Sequence, residues 1–283
     1  MSTKNHLSVY AKSFNWAGFF LPKTTYQNCS KLYSFCRVLD NIADDYDTLE
    51  NKKKKFKNFK EQYTKSTSSN SIIENMKELE KNYNISRTVI NDLFDGIESD
   101  IKEKIELKSE KDLLLYSYQV AGTVGLMMAK ILGVKSSTSL KAAINLGVAM
   151  QLTNISRDVI EDSLNNRFYI NHSLDDIKSA IKNSEVFYDN SFYSIKDIPI
   201  GMRFAILVAR RIYRKIGRKI IKIDNFDVYK LSGKIYVNKL EKVLETILSI
   251  YDFFKLMIMN NNNEKHNLNY KDIYELINFD ERI

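Results

Sequence analysis

Proline and glycine are scarce in this chain of 283 residues, which holds two Pro and nine Gly. So few breakers exclude a many-turned β protein and favour long helices joined by short polar loops. Cysteine is nearly absent. Cys29 and Cys36 stand seven apart in a helical pattern, the spacing of neither a metal knuckle nor a redox pair, and a reducing cytosol is their simplest setting. The three histidines, His6, His172 and His266, are scattered, which argues against a soft N/S metal centre. Any bound metal would then be a hard cation held by carboxylates. Long apolar runs are also missing: the best, around 120–134, is interrupted by Lys130. The first residues, MSTKNHLSVY, lack the apolar core of a signal peptide. The expectation is a soluble, cytoplasmic protein with at most a peripheral hold on a membrane.

What is present is an ordinary globular balance, 44% hydrophobic and 28% charged, with a net charge of +8. That charge suits nucleic acid, anionic lipid or phosphorylated ligands alike. Against nucleic acid, Lys52 to Lys55 form a compact block and no binding motif accompanies them. Apolar residues at three- and four-residue steps predict helices over 24–46, 71–82, 86–105, 110–133, 138–163, 201–222 and 235–260. Thr24 or Thr25 is a candidate N-cap for the first. Residues 50–70 begin as an exposed helix and end in a loop, and 164–200 are mixed and polar, with turn signals at Asn165-Asn166 and Asp189-Asn190. Neither a repeat nor a Pro/Gly-rich linker divides the chain, so 1–283 reads as a single all-α domain. Its oligomeric state is left open.

Two segments carry chemistry. In CRVLDNIADD (36–45), Asp40 and Asp44 lie four apart and share a helix face with Arg37 and Tyr33. In AMQLTNISRDVIED (149–162), Asp158 and Asp162 repeat that step, and Gln151 and Asn154 extend the stripe. Both stripes run through largely apolar helices, where an unpartnered polar group costs about 1–3 kcal/mol. Were the two to face each other, carboxylates about 6 Å apart would repel by roughly 3 kcal/mol at an effective dielectric near 20. Divalent cations remove that penalty, and Mg²⁺ divides its shell among carboxylates, water and substrate phosphates. The residues alone thus lead to a helical bundle with a carboxylate-lined Mg²⁺–diphosphate site. They do not choose a reaction.

The order and spacing of SFNWAGFFLP, LYSFCRVLDNIAD, YQVAGTVG, GVAMQLTNISRDVIEDSLNNRFYI, ARRIYRKIGRKI and LSGKIYVNK resemble the squalene/phytoene synthase family over about 10–242. The wording is most similar to the bacterial phytoene synthases. The resemblance implies a single helical bundle with a central cavity. In it Asp40, Asp44, Asp158 and Asp162 bind Mg²⁺ or Mn²⁺, while Gln151, Asn154 and Arg157 line the same polar end. It assigns Lys12, Ser13, Tyr33 and Arg37 to diphosphate, Tyr213 to closing the site, and Tyr116 to a place beside the reacting carbons. It further implies head-to-head condensation of two prenyl diphosphates through a cyclopropyl intermediate. The alternatives are squalene, hydroxysqualene or diapophytoene formation from farnesyl diphosphate, or a non-catalytic assembly factor. Phytoene formation needs no NADPH, and no GxGxxG motif is present. Lys234 stands where many relatives carry Arg, turning a bidentate grip into a point charge. Asn171 replaces a usual Pro, and YAKSF departs from the family at Tyr10 and Ala11.

Three expectations remain. AGTVG (121–125) places two glycines in a helix, for close packing, a local break, or room beside an irregular helix for a prenyl chain. Ser30 and Gly18 are small residues on the path away from Asp40, and they predict a tail channel deep enough for geranylgeranyl diphosphate. Lys52 to Lys55, followed by Phe56 and Phe59, form a candidate contact with anionic lipid.

Overall fold

Helices make up nearly all the regular structure of the computed structural model, as the breaker-poor sequence requires. It describes residues 12–65, 68–258 and 277–283, with side chains from residue 15. In order they are α1 (Lys12–Gly18), α2 (Lys23–Asp44), α3 (Leu49–Thr64), α4 (Ser71–Asn82), α5 (Arg87–Ser99), α6 (Glu110–Ser117), α7 (Thr123–Ile131), α8 (Ser137–Leu164), α9 (Leu174–Phe192), α10 (Ile200–Ile221), α11 (Phe226–Leu231) and α12 (Lys239–Ile258). Two short strands, β1 (Ile105–Glu106) and β2 (Arg167–Phe168), pair in parallel, Ile105 opposite Arg167.

Helix α8 is the axis. It packs against α7, α9 and α10, and fourteen of its twenty-eight residues are buried. A helix apolar on most sides belongs in the middle of a bundle. Seven helices open with a side-chain cap: Thr48, Asn70, Ser86, Ser109, Ser136, Ser173 and Asn225 each accept a backbone N–H. Helix α2 does not. Pro22 occupies its cap position, and neither Thr24 nor Thr25 serves, because the proline ring presets the entry and the helix starts at Lys23.

Three further expectations are corrected. The helix expected over 86–105 ends at Ser99, and the remainder turns to form β1. Asp189-Asn190 lies inside α9 rather than in a turn, because Ile177, Ala180, Ile181, Ser184, Phe187 and Tyr188 bury one face of that helix. Tertiary burial outweighs the local turn preference. The Lys52 to Lys55 block cannot present its aromatics to lipid: Phe56 and Phe59 are core residues packed near Phe35 and Phe94. Lys55 is paired with Asp45 and Asp47 at 2.6 and 2.9 Å.

The AGTVG segment is irregular and tightly packed at once. Tyr118–Gly122 form a π turn between α6 and α7. A Cβ on Gly125 would lie 2.3 Å from the Ala143 carbonyl oxygen, and one on Gly147 would lie 2.3 Å from that of Ala121. The two backbones touch through paired glycines. Gly147→Ala is therefore expected to force α8 away from the π turn and to cost about 1–3 kcal/mol. A lower midpoint in denaturant unfolding checks this, and an unchanged midpoint would contradict the packing described.

Candidate active site

Three helices end at one place with acidic residues and no basic residue in their last turns. Helix α2 ends through Asp40 and Asp44, α5 is capped by Asp100, and α8 ends through Asp158 and Asp162. A helix C-terminus already carries partial negative charge, so each carboxylate there is disfavoured by about 0.3–1 kcal/mol. Such a convergence needs cations.

The chain supplies some of them. Arg167, set by the β1–β2 pairing, contacts Asp44 at 2.8 Å. Arg157 grips its neighbour Asp158 through one edge of its guanidinium, Nε donating to Oδ1 at 2.7 Å and Nη2 to Oδ2. Lys234 stands 3.5 Å from Asp158 and 2.7 Å from Glu161. Arg37 approaches Asp40 only to 3.9 Å. Asp162 has no ion-pair partner among the described residues.

The protonation of the carboxylates reflects this uneven coverage. Burial, and then the charge of Asp158, push Asp162 up to about 7. Asp100 is pushed up to about 6 by burial, opposed by Arg167. Asp40 is raised by confinement and by Asp44, although 43% of its side chain stays open to the cavity. Asp40, Asp100 and Asp162 are thus the carboxylates at this end that hold a proton most readily.

These residues form one end of a cavity of about 1000 Å³. Tyr33, Arg37, Gln151, Asn154, Arg157 and Tyr213 line the same end, so ten of the residues singled out in the sequence meet there. The far end is apolar and finely stepped. Helix α8 contributes Met150, Gly147, Leu146, Ala143, Ala142 and Ser139 in succession, facing Val124, Gly125 and Met128 of α7, with Leu132, Val134 and Ile198 at the bottom.

Other expected residues lie elsewhere. The side chains of Lys12 and Ser13 fall outside the described ones. Tyr116 is not on the cavity wall. It stacks on Tyr169 at 4.7 Å, and both hydroxyls donate to Asp100, at 2.8 and 2.9 Å. It stands behind the carboxylate of Asp100. Ser30 donates to the Tyr26 carbonyl, and the ring of Tyr26 fills the space beside Gly18. Neither residue bounds the cavity, which runs along α8 instead. Asp100 and Arg167 are among the polar lining residues that sequence reasoning missed. Asp100 has no i+4 carboxylate to flag it, and Arg167 acquires its neighbours only through the strand pairing.

The donor set fits a hard cation. The cavity's polar end offers oxygens, and the buried Oδ1 of Asn154 has no hydrogen-bond donor. No three carboxylates converge on one point among the described residues. A divalent ion there would accordingly be held by a carboxylate pair and completed by water or ligand oxygens, the usual habit of Mg²⁺.

Comparison with known proteins gives the chain its family. Residues 7–174 match the family model described as squalene/phytoene synthase. The chain is 27% identical to the 15-cis-phytoene synthase of Pantoea ananas over 247 residues, 76% of this chain and 80% of that one. It is 30% identical to the 4,4'-diapophytoene synthase of Staphylococcus haemolyticus, over 82% of this chain and 90% of that one. In fold it is similar to a crystal structure of a dehydrosqualene synthase with ligand, with a TM-score of 0.72 and 24% identity over 88% and 94% of the two chains. With its helical bundle, its acid-ended cavity and a family match over more than half its length, the chain belongs to the squalene/phytoene synthase family of head-to-head prenyl transferases.

Proposed function

We propose that the enzyme condenses two geranylgeranyl diphosphates head to head to phytoene, with Mg²⁺ as its cation. The observation that carries the chain length is the course of the cavity along α8. An isoprene unit extends about 5 Å, so a twenty-carbon tail needs about 20 Å, against about 22 Å from Asn154 to Ser139 at 1.5 Å per residue. Small side chains keep that path open: Gly147, Ala143 and Ala142 follow one another on the wall.

In this reading Asp40 with Asp44 and Asp158 with Asp162 form two carboxylate pairs that would hold Mg²⁺, which when bound would neutralise the diphosphate and polarise its leaving oxygen. Arg37, Arg157 and Lys234 meet the remaining phosphate charge, and Tyr33 and Tyr213 close the polar end. Binding of phosphate competes with the Arg157–Asp158 and Lys234–Asp158 pairs, freeing Asp158 as a cation ligand. The apolar wall from Met150 to Leu132 excludes water from the carbocations that follow ionisation.

Incubation of the purified protein with geranylgeranyl or farnesyl diphosphate, with Mg²⁺ and with or without NADPH, tests the reading. The expected product is a forty-carbon hydrocarbon formed without NADPH and lost in excess chelator. A thirty-carbon product in preference would overturn the chain length, and turnover in chelator would overturn the cation.

A further inference from the structure

Helix α12 is turned inside out. Its buried residues are Glu245, Ser249, Asp252 and Leu256. Arg211 of α10 holds both carboxylates, at 2.9 and 2.7 Å, while Lys215 lies 3.7 Å from Glu245 and Lys219 holds Glu241 at 3.0 Å. The eleven exposed residues of the helix are Lys239 and ten apolar side chains, among them Leu240, Leu244, Ile247, Tyr251, Phe254 and Ile258. Burial alone would set such a helix the other way round. The ion pairs to α10 fix its orientation, which is what buried charge does better than it adds stability.

The apolar face continues at both ends. Past Phe254, contacts at 6.0, 6.3 and 5.0 Å run through Phe253 and Phe204 to Phe20, beside Phe19, which is 76% exposed. At the other end, exposed Leu231 and Tyr236 flank Lys234, whose ammonium reaches Asp158 at the polar end of the cavity. The surface therefore borders the polar end of the cavity. It is also basic. Among the exposed residues of 210–258, Arg218, Lys222, Lys230, Lys234 and Lys239 stand against Asp224 and Asp227.

We propose that the outward face of α12 docks the enzyme on an anionic lipid bilayer, with the helix lying in the plane of the interface. A bilayer supplies an apolar layer and a negative surface together, the pair of features this face matches. A second copy of the chain offers no negative side: two-fold pairing through this face would set Lys239 and the exposed lysines that flank it against their own copies. All three carboxylates of α12 are committed inward, so none is left to offset a partner's cations. No helix among the described residues is long and apolar enough to cross a membrane, so α12 lies on the bilayer. The choice of lipid rests in part on the function proposed above, since prenyl chains and a hydrocarbon product partition into bilayers.

Flotation of the full chain with phosphatidylcholine vesicles, with and without phosphatidylglycerol, tests the surface in the absence of any substrate. The expected result is binding to the anionic vesicles, at least about tenfold weaker on phosphatidylcholine alone and weakened by salt. The triple variant Leu244→Gln, Ile247→Gln, Tyr251→Gln should lose flotation at least about tenfold while keeping the melting curve and the turnover in detergent. Equal binding to both vesicle types, no binding to either, or a wild-type dimer that the triple variant converts to monomer would overturn the proposal. Should the triple variant fail to fold, the comparison of vesicles with the wild-type chain still decides. Wild-type turnover in detergent without flotation sinks the docking surface alone. Flotation without turnover of any prenyl diphosphate sinks the proposed function alone.

Discussion

Asp162→Asn is expected to lower turnover of prenyl diphosphate by about two to three orders of magnitude, the usual loss when one preorganised electrostatic partner is removed. The same substitution should raise the melting temperature of the metal-free protein. Asp162 has no ion-pair partner among the described residues and faces Asp158 across one helical turn, so its charge is a burden until a cation arrives. Asp158→Asn should cost comparable activity and act oppositely on stability. It removes the partner of Arg157, a guanidinium whose side chain is only 17% exposed, and an uncompensated charge in such a place is destabilising. The two aspartates look equivalent in the sequence and differ in the fold.

The effect on stability carries a pH signature. The folded-state value of Asp162, about 7, lies above its unfolded value of 3.8. Protons therefore bind the folded chain more tightly, and the stability that this group lends is lost as pH rises from about 4 through 7. Asn cannot titrate. The gain in melting temperature of Asp162→Asn over wild type should accordingly be small near pH 4 and largest near pH 8. Mg²⁺ with inorganic diphosphate should raise the wild-type melting temperature and leave the variant nearly unmoved. A gain independent of pH, or equal stabilisation of both proteins by the ligands, would show that Asp162 is not the uncompensated carboxylate.

Much of this site is legible in the sequence because helices convert spacing into direction. Asp40 and Asp44, then Asp158 and Asp162, each take a four-residue step, and each pair emerges on one face at the end of its helix. The stripe Gln151, Asn154, Asp158 marks the polar wall for the same reason. What stays hidden depends on contacts between elements. Arg167 becomes a counter-ion only when β2 pairs with β1, two residues against two, a match too short to leave a pattern. Asp100 gains its role from the stacked Tyr116 and Tyr169. The reversed face of α12 was equally illegible, since its apolar period reads as a core helix until Arg211 is seen to hold Glu245 and Asp252. The cavity's direction is hidden too: the face behind Asp40 leads to Ser30 and Gly18, but the ring of Tyr26 occupies that space.

The cavity's true course moves the determinant of chain length to α8. Ala143 lies eleven residues before Asn154, about 16 Å along the helix at 1.5 Å per residue. Three isoprene units at about 5 Å each fit within that distance, and a fourth extends past Ala143. A helical side chain covers the turn on the N-terminal side of its own Cα, which here is the deeper side, toward Ser139. Ala143→Phe should therefore block about the last quarter of the cavity and leave the upper part open. The expected result is a fall in kcat/KM for geranylgeranyl diphosphate and a gain relative to it for farnesyl diphosphate. The ratio should shift by at least about tenfold, equivalent to about 1.4 kcal/mol. Ala143 also faces the backbone of α7, where its carbonyl meets Gly125. The melting curve must be read beside the kinetics, and Ala143→Leu provides a smaller plug if Phe unsettles the bundle. Ser30→Trp, on the path that Tyr26 already fills, should leave the ratio unchanged. Were Ser30→Trp to shift the preference while Ala143→Phe and Ala143→Leu do not, the prenyl tail would run along α2 and the cavity beside α8 would have another use.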